Sequence, residues 1–365
     1  MKVLHVNSYY IGSGFYKNLY REQVKTGLDI DVYVPTSKDK DISSLNLGEY
    51  TYISKNHGKY DRIIFGLKHS KIYKDIVEKY NIGEYDLVHA HSLFSNGYIA
   101  YKLNKDYGIP YVVAVRNTDI NTFFKYMVHL RSLGVKILKN AKSVIFISDL
   151  YKKKILKEYV SGKLKDEIVE KSVIVPNGVD DFWLDNKYCG RQFDNNNKNI
   201  KILYVGVINK NKNIEATIEA CKRLIEEGYN IEYTIIGRLV DDNYKSIIEN
   251  NSFISYIGHT DKENLLKYYR ESDIFVMPSK HETFGLVYLE AMSQGLPLIY
   301  TRGQGFDGRF KEGEVGFSVK YDDSEEIASN IRKIIGNYNE ISKRCLEKVE
   351  DFNWESIAEK YREIY

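Results

Sequence analysis

The sequence predicts an α/β fold made of two doubly wound parallel sheets, and three observations carry the prediction. Short apolar runs alternate with helical stretches along nearly the whole chain, the pattern of buried parallel strands joined by crossover helices. The length of 365 residues suits two domains of ordinary size. A turn signal at Pro176-Asn-Gly178, followed by a polar stretch from 181 to 199 that includes Asn195-Asn-Asn197, separates two series of strands.

In the first series, Val3-Leu-His-Val6 reads as a strand running into a glycine-bearing turn, Ser8 to Gly14, and a helix from Phe15 to Lys25. Further strands are expected at 29–34, 85–89, 110–115, 143–147 and 172–175. The second series begins with Lys201-Ile-Leu-Tyr-Val205 and a helix whose Ile214, Ile218, Cys221 and Ile225 recur at helical spacing. It continues with strands ending near Gly237, Gly258, Met277 and Tyr300. A last helix, 351–365, carries one apolar stripe of Trp354, Ile357, Ala358, Tyr361 and Tyr365. In such sheets ligands bind beyond the carboxyl ends of the strands, so the residues just after each strand are the ones to examine.

Bulk composition narrows the class. Hydrophobic residues make up 43% of the chain and charged residues 28%, enough for real cores under a charged surface. A net charge of +3 gives no global argument for nucleic acid. Cys189, Cys221 and Cys345 are odd in number and far apart, as expected of reduced thiols in a cytoplasmic protein. The N-terminus is too short and polar for a signal peptide, and no run approaches the ~18 apolar residues of a membrane span. Membrane contact is therefore expected to be peripheral, at the inner face of the plasma membrane.

The stretch from Pro278 to Pro297 concentrates the chemistry. It follows the apolar run Asp273 to Met277, places Glu282 in a loop, opens a helix near Phe284 and Gly285, and carries Glu290 inside that helix before Gly295 stops it. Free backbone N–H groups and the positive end of the helix dipole converge at Thr283 to Leu286, which suits a phosphate, with a carboxylate on each side for sugar hydroxyls. The competing reading makes Glu290 a surface acid and Glu282 an acid favouring the helix start.

The whole stretch resembles the signature of the retaining glycosyltransferases of family 4, which have the GT-B fold. Pro278, Ser279, Glu282, Phe284, Gly285, Glu290, Ala291, Met292, Gly295 and Pro297 all match it. The resemblance implies that Glu290 holds the ribose of a nucleotide-sugar, that Glu282 contacts the donor sugar, and that the amides of Phe284, Gly285 and Leu286 meet phosphate or sugar. The Pro-Asn-Gly-Val-Asp run ending at Asp180 matches the family's interdomain crossing. It implies two Rossmann-like domains facing across a cleft: 1–183 for the acceptor, 184–350 for the donor, and a helix at 351–365 crossing back to the first.

Lys212, six residues after Gly206, matches a family lysine that neutralises the donor diphosphate. The family's arginine beside that glycine is Val207 here. Arg238 and Arg302 are the candidate substitutes, and Gly237 with Arg238 is expected on the nucleotide-base side. The loop from Thr301 to Gly308, with three glycines, reads either as a backbone nest beside the donor sugar or as a surface turn. Glu282 and Lys212 are the expected catalytic pair.

In the first domain, Gly12-Ser-Gly14 begins like a dinucleotide fingerprint, but Lys17 occupies the third small position and Val34-Pro-Thr36 lacks the ribose-binding acid. Gly12 and Gly14 are instead expected to let the backbone approach donor phosphate or acceptor. His89 and His91 have spacing that suggests metal ligands, yet no third ligand of suitable type is expected near them, and His89 reads as a structural residue at the strand end. His91, Arg116 and Asp119 are the acceptor-side candidates. For Arg116 and Asp119 the alternative is a salt-bridged loop with Asp119 capping a helix from Asn121 to Lys139. No metal and no other cofactor is expected, since no Asp-x-Asp pair is suited to bridging a diphosphate through an ion, and Asp180-Asp181, Asp241-Asp242 and Asp322-Asp323 are adjacent pairs without that spacing.

Residues 120–172 hold twelve Lys or Arg against five acids. Lys125, Lys136 and Lys139 share one face of the expected helix, near Phe123, Phe124, Met127 and Val128. This predicts contact with an anionic membrane, where lipid-linked acceptors reside, against the alternative of a solvated lysine-rich face. The expected reaction is transfer of a sugar from a nucleotide-sugar, a UDP-sugar by preference, to a glycan or lipid-linked hydroxyl with retention. A sugar-nucleotide epimerase and a non-catalytic nucleotide or sugar binder are the rivals.

Overall fold

The computed structural model describes the chain except residues 44, 63, 190, 191 and 195–197. The asparagine run of the expected linker thus lies outside the described residues. The contacts divide the chain into two compact units, Met1–Gly178 with Trp354–Tyr365, and Val179–Asn353.

Unit 1 holds a seven-stranded parallel sheet. Its strands are β1 (Lys2–Val6), β2 (Asp29–Ser37), β3 (Thr51–His57), β4 (Leu87–Ala90), β5 (Tyr111–Val115), β6 (Ser143–Phe146) and β7 (Ser172–Ile174), in the order β3-β2-β1-β4-β5-β6-β7. The order reverses between β1 and β4, which is the switch point of a doubly wound sheet. β4, β5 and β6 are buried at every position, as expected of strands whose two faces are covered by helices.

The terminal helix Trp354–Ile364 packs against the helix Phe15–Lys25, and the rings of Trp354 and Phe15 stack at 5.9 Å. Its apolar stripe joins the core of Val3, Val32, Val112 and Ile145. Gly178 makes room for the indole: a Cβ there would come within 2.5 Å of the Trp354 ring. The glycine of the turn signal is therefore needed for space as well as for turning.

Two features of unit 1 differ from the sequence reading. β3 is an edge strand with alternating exposure, and its Lys55 and Asn56 hid it. The expected helix from Asn121 to Lys139 is broken into a π-type turn Asp119–Phe124, a 3₁₀ turn Val128–Leu130 and a helix Arg131–Asn140. Phe124 turns into the core between Phe94 and Tyr159, with its ring 4.4 Å from that of Tyr159. Gly134 accepts the two phenylalanine rings, which would lie 2.6 and 3.0 Å from a Cβ. Arg131 Nε closes the break by donating to the Phe124 carbonyl at 2.7 Å.

Unit 2 holds a six-stranded parallel sheet of β8 (Asn199–Val205), β9 (Asn230–Ile236), β10 (Ile254–Ile257), β11 (Ile274–Val276), β12 (Leu298–Thr301) and β13 (Gly316–Val319), ordered β10-β9-β8-β11-β12-β13. Here the switch point lies between β8 and β11. β13 was not expected from the sequence. Gly316 lets it approach β12, since a Cβ would sit 1.9 Å from the Leu298 carbonyl oxygen.

Trp354→Ala should destabilise unit 1 by about 3–5 kcal/mol through the cavity it leaves. Hydrogen exchange should show protection lost in β1 and in Phe15–Lys25 while β8–β13 keep theirs. Unchanged protection in unit 1 would contradict this packing.

Candidate active site

In unit 2 the loops after β8 and β11 flank the switch point. β11 ends where Pro278 breaks it, and the chain runs through Ser279 to Gly285 before the helix Leu286–Ser293 begins. Gly285 adopts φ +75°, and a Cβ there would meet the Tyr288 ring at 2.5 Å, so only glycine starts this helix here. No side chain caps the helix; its Tyr288 N–H donates to the Gly285 carbonyl at 2.9 Å, and the N–H groups of Leu286 and Val287 come before any intrahelical acceptor.

Glu282 lies before this helix end. One carboxylate oxygen accepts the Thr283 N–H at 2.9 Å, and the other accepts Lys212 Nζ at 2.6 Å. Both side chains are largely buried, at 20% and 12% exposure for Lys212 and Glu282. The loop carrying Lys212 is fixed to that carrying Glu282. Asn211 donates to the His281 carbonyl at 2.9 Å and accepts the His281 N–H at 3.0 Å. Its carbonyl accepts the Lys280 N–H at 2.8 Å. Asn213, at φ +56° the single non-glycine residue with positive φ among those described, donates to the Pro278 carbonyl at 3.2 Å.

The loop after β12 closes against Glu282. Gln304 accepts the Glu282 N–H at 3.0 Å, and the Gly305 N–H donates to the Glu282 carbonyl at 3.1 Å. A Cβ on Gly305 would stand 1.6 Å from the Thr283 carbonyl oxygen, so this glycine is required for the close approach.

Glu290 sits in the second turn of the helix. Its carboxylate accepts the hydroxyl of buried Tyr269 at 3.0 Å. Burial pushes the Glu290 carboxyl up to about 7, against the opposing pull of the Tyr269 hydroxyl and Lys262. Lys262 is itself paired with Asp180 at 2.8 Å.

The other donor-side candidates fall less close. Gly237 is buried beside Gly206, whose carbonyl oxygen a Cβ would meet at 1.9 Å. Arg238 follows it with an exposed side chain, and its carbonyl accepts the Ile208 N–H at 2.9 Å. Arg302, the other candidate for the arginine replaced by Val207, is paired in this structure with Glu326 at 2.5 Å and with Ser318. A cation not singled out from the sequence lies behind the motif: Arg309 sits 5.2 Å over the Phe284 ring and 5.4 Å over Phe352, and burial lowers its pKa to about 10. Asn211, Asn213 and Gln304 were also missed. The run Asn209-Lys-Asn-Lys-Asn213, rich in residues that tolerate turns and left-handed backbone, was the available signal for the two asparagines.

In unit 1 the candidates follow β1, β4 and β5. Gly12 and Gly14 occupy the turn before Phe15–Lys25, neither has positive φ, and a Cβ on either would meet nothing within 4 Å. They leave open space rather than relieve strain. His91, an acceptor-side candidate, is fully buried. It stacks on His89 at 3.9 Å, and its Nε2 lies 3.0 Å from His5 Nδ1 and 3.1 Å from the Tyr20 hydroxyl. The third histidine thought missing is His5, brought beside His89 by the β1–β4 register. The three offer nitrogens within 4.8 Å of one another. Burial holds all three neutral, His5 at about 3, and the Arg116 charge opposes a cation at His89 and His91.

Asp119 is also buried, and it neither caps a helix at Asn121 nor forms the expected salt bridge. Its carboxylate accepts the N–H groups of Leu93, Phe94 and Arg116 at 3.0, 3.1 and 2.8 Å. It therefore fixes the loop after β4 and the start of the helix Ser95–Tyr107. Arg116 is partly buried, donates to the His91 carbonyl at 3.3 Å and to Asn177 at 3.4 Å, and lies 5.9 Å over Tyr16.

Comparison with known proteins agrees with this architecture. Residues 15–181 match the family model Glycosyltransferase Family 4, and 190–352 match Glycosyl transferases group 1. An uncharacterized glycosyltransferase of Methanocaldococcus jannaschii is 23% identical over 100% of this chain and 98% of its own. A capsular polysaccharide biosynthesis glycosyltransferase of Staphylococcus aureus is 29% identical over 62% of this chain and 61% of its own. Among solved structures, sucrose-phosphate synthase from Thermosynechococcus elongatus superposes with a TM-score of 0.77 at 18% identity, covering 100% of this chain and 98% of that one. Anabaena HepE, solved in complex with UDP-glucose, gives 0.68 at 15% identity over 100% and 98%. With a parallel-sheet Rossmann-like unit under each family model, the chain is a glycosyltransferase of the GT-B fold.

Proposed function

We propose that this enzyme is a retaining family 4 hexosyltransferase. It takes its sugar from a UDP-sugar and places it on a hydroxyl of a glycan or lipid-linked acceptor during polysaccharide or glycolipid assembly in the cytoplasm. The observation that carries this reading is the Lys212–Glu282 pair at 2.6 Å beside an uncapped helix N-terminus, with Glu290 one turn further on. The Staphylococcus capsular relative supports the polysaccharide setting, and the UDP-glucose complex of Anabaena HepE supports the donor class.

In this reading the donor diphosphate lies at the N–H groups of Gly285 and Leu286, where the helix dipole favours negative charge. Lys212 leaves Glu282 for the phosphate, and Glu282 turns to the donor sugar hydroxyls. Glu290 takes the ribose. The Gly12–Gly14 turn gives backbone access to phosphate or acceptor, Gly237 and Arg238 serve the base side, and Arg116 serves the acceptor. The bond between the anomeric carbon and the β-phosphate oxygen breaks, and UDP departs with the electron pair. The acceptor oxygen bonds to the same face of that carbon, and its proton passes to a phosphate oxygen of the leaving group. Lys212 and the helix end supply the positive charge, so the step is expected to be indifferent to chelators.

Three outcomes test the proposal. Titration calorimetry should show UDP binding tighter than GDP or ADP, weakened at least tenfold in Glu290→Ala; no binding by any of the three nucleotides would overturn it. Ribose hydroxyls favour the ionised Glu290, whose carboxyl titrates at about 7, so UDP should bind roughly tenfold more weakly at pH 6 than at pH 8. Glu290→Gln should flatten that dependence. Lys212→Ala should lower kcat by roughly 10²–10³ with the fold intact, and a rate close to wild type would remove Lys212 from the chemistry.

A further inference from the structure

Unit 1 carries a cluster of apolar side chains that its own core does not use. Tyr60, Ile64 and Leu67, just before and within the start of the helix Phe65–Lys79, are 81%, 59% and 46% exposed. Tyr126 and Val128, in the break between the π-type turn and Arg131–Asn140, are 69% and 59% exposed. The two segments form one surface. The rings of Phe65 and Phe123 lie 6.2 Å apart, and a pocket of about 320 Å³ between the segments is lined by Phe65, Lys68, Phe123, Met127 and Leu130.

The local fold enforces this exposure. Phe124 is drawn fully into the core, while Arg131 donates to the carbonyls of Phe124 and Lys125 at 2.7 and 3.3 Å. That clamp leaves Tyr126 and Val128 outward. The charge around the patch has one sign. No acid occurs from Ile120 to Ser148, and Asp61 is the single acid from Thr51 to Lys74, paired with Lys71 at 2.7 Å. Lys125 lies 5.1 Å over the Tyr126 ring, and Lys68 borders the pocket.

We propose that this patch seats unit 1 on an anionic lipid bilayer. Tyr126, Val128, Ile64 and Leu67 enter the boundary between headgroups and acyl chains, Lys68 and Lys125 lie at the lipid phosphates, and the pocket receives an acyl chain. The breaking of the expected helix moves this surface from where the sequence put it. Lys136 and Lys139 stand on a separate helix from Lys125, and the apolar side chains come instead from the segment around Ile64. The inference rests on the transfer reading for its purpose, because a bilayer would present a lipid-linked acceptor, but its observations are independent.

The test is flotation of the full chain with phosphatidylcholine vesicles, with and without phosphatidylglycerol. The protein should float with the anionic vesicles at low salt and be released at high salt. Ile64→Ser with Leu67→Ser and Val128→Ser, and separately Lys68→Glu with Lys125→Glu, should each cut the bound fraction at least tenfold. The charge-reversal pair decides the matter if the serine variant folds poorly. Failure to bind anionic vesicles, or binding untouched by both sets, would overturn the proposal. So would a dimer dispersed by the same substitutions, since a second copy would then cover the patch. UDP titration on the same preparations separates the two readings: intact UDP binding without vesicle binding removes the patch and leaves the transferase.

Discussion

The ion pair between Lys212 and Glu282 is the contact on which the second unit's site depends. A lysine and a glutamate this far out of solvent are costly to desolvate and are held only where both are hydrogen-bonded in fixed geometry. Glu282 meets that condition through the Thr283 N–H on its other oxygen. Its backbone is held as well, by Gln304 on one side and Gly305 on the other. The pair also sets the resting charge of the site. The lysine's charge is answered there by a carboxylate beside the helix end.

Three loops of the second sheet exist to maintain that pair. Asn211 and Asn213 fasten the loop after β8 to the loop after β11, and Asn213 accepts left-handed backbone to do so. The glycines at 206, 237, 285 and 305 each permit an approach or a conformation that a Cβ would hinder. The loops lie at the switch point between β8 and β11, where neighbouring crossover connections part to opposite faces and leave a crevice. The fold provides the crevice, and the asparagines and glycines bring the lysine and the glutamate to the same side of it.

The strands buried on both faces were legible from the sequence because burial leaves unbroken apolar runs, as in β5 and β11. The edge strand β3 was not, since half of it faces water and its polar residues interrupt the pattern. β13 is four residues long and begins with a glycine whose role depends on its distance from β12. The broken helix after β5 was hidden for a related reason: its periodicity is helical, but Phe124 gains more from packing between Phe94 and Tyr159 than continuous helix would allow. Glu282, Gly285 and Glu290 could be found because they lie within one short stretch. His5 beside His89 and Gln304 beside Glu282 could not, because contacts across a sheet or between loops leave no mark in local spacing.

The most direct measurement of the account is the affinity of UDP alone for Glu282→Gln, compared with the same substitution in a Lys212→Met background. If Glu282 occupies Lys212 in the free protein, removing its charge frees the lysine for phosphate, and UDP should bind more tightly. The gain should vanish when the lysine is gone. Unchanged or weaker UDP binding in Glu282→Gln would contradict the claim that this ion pair opens for the donor.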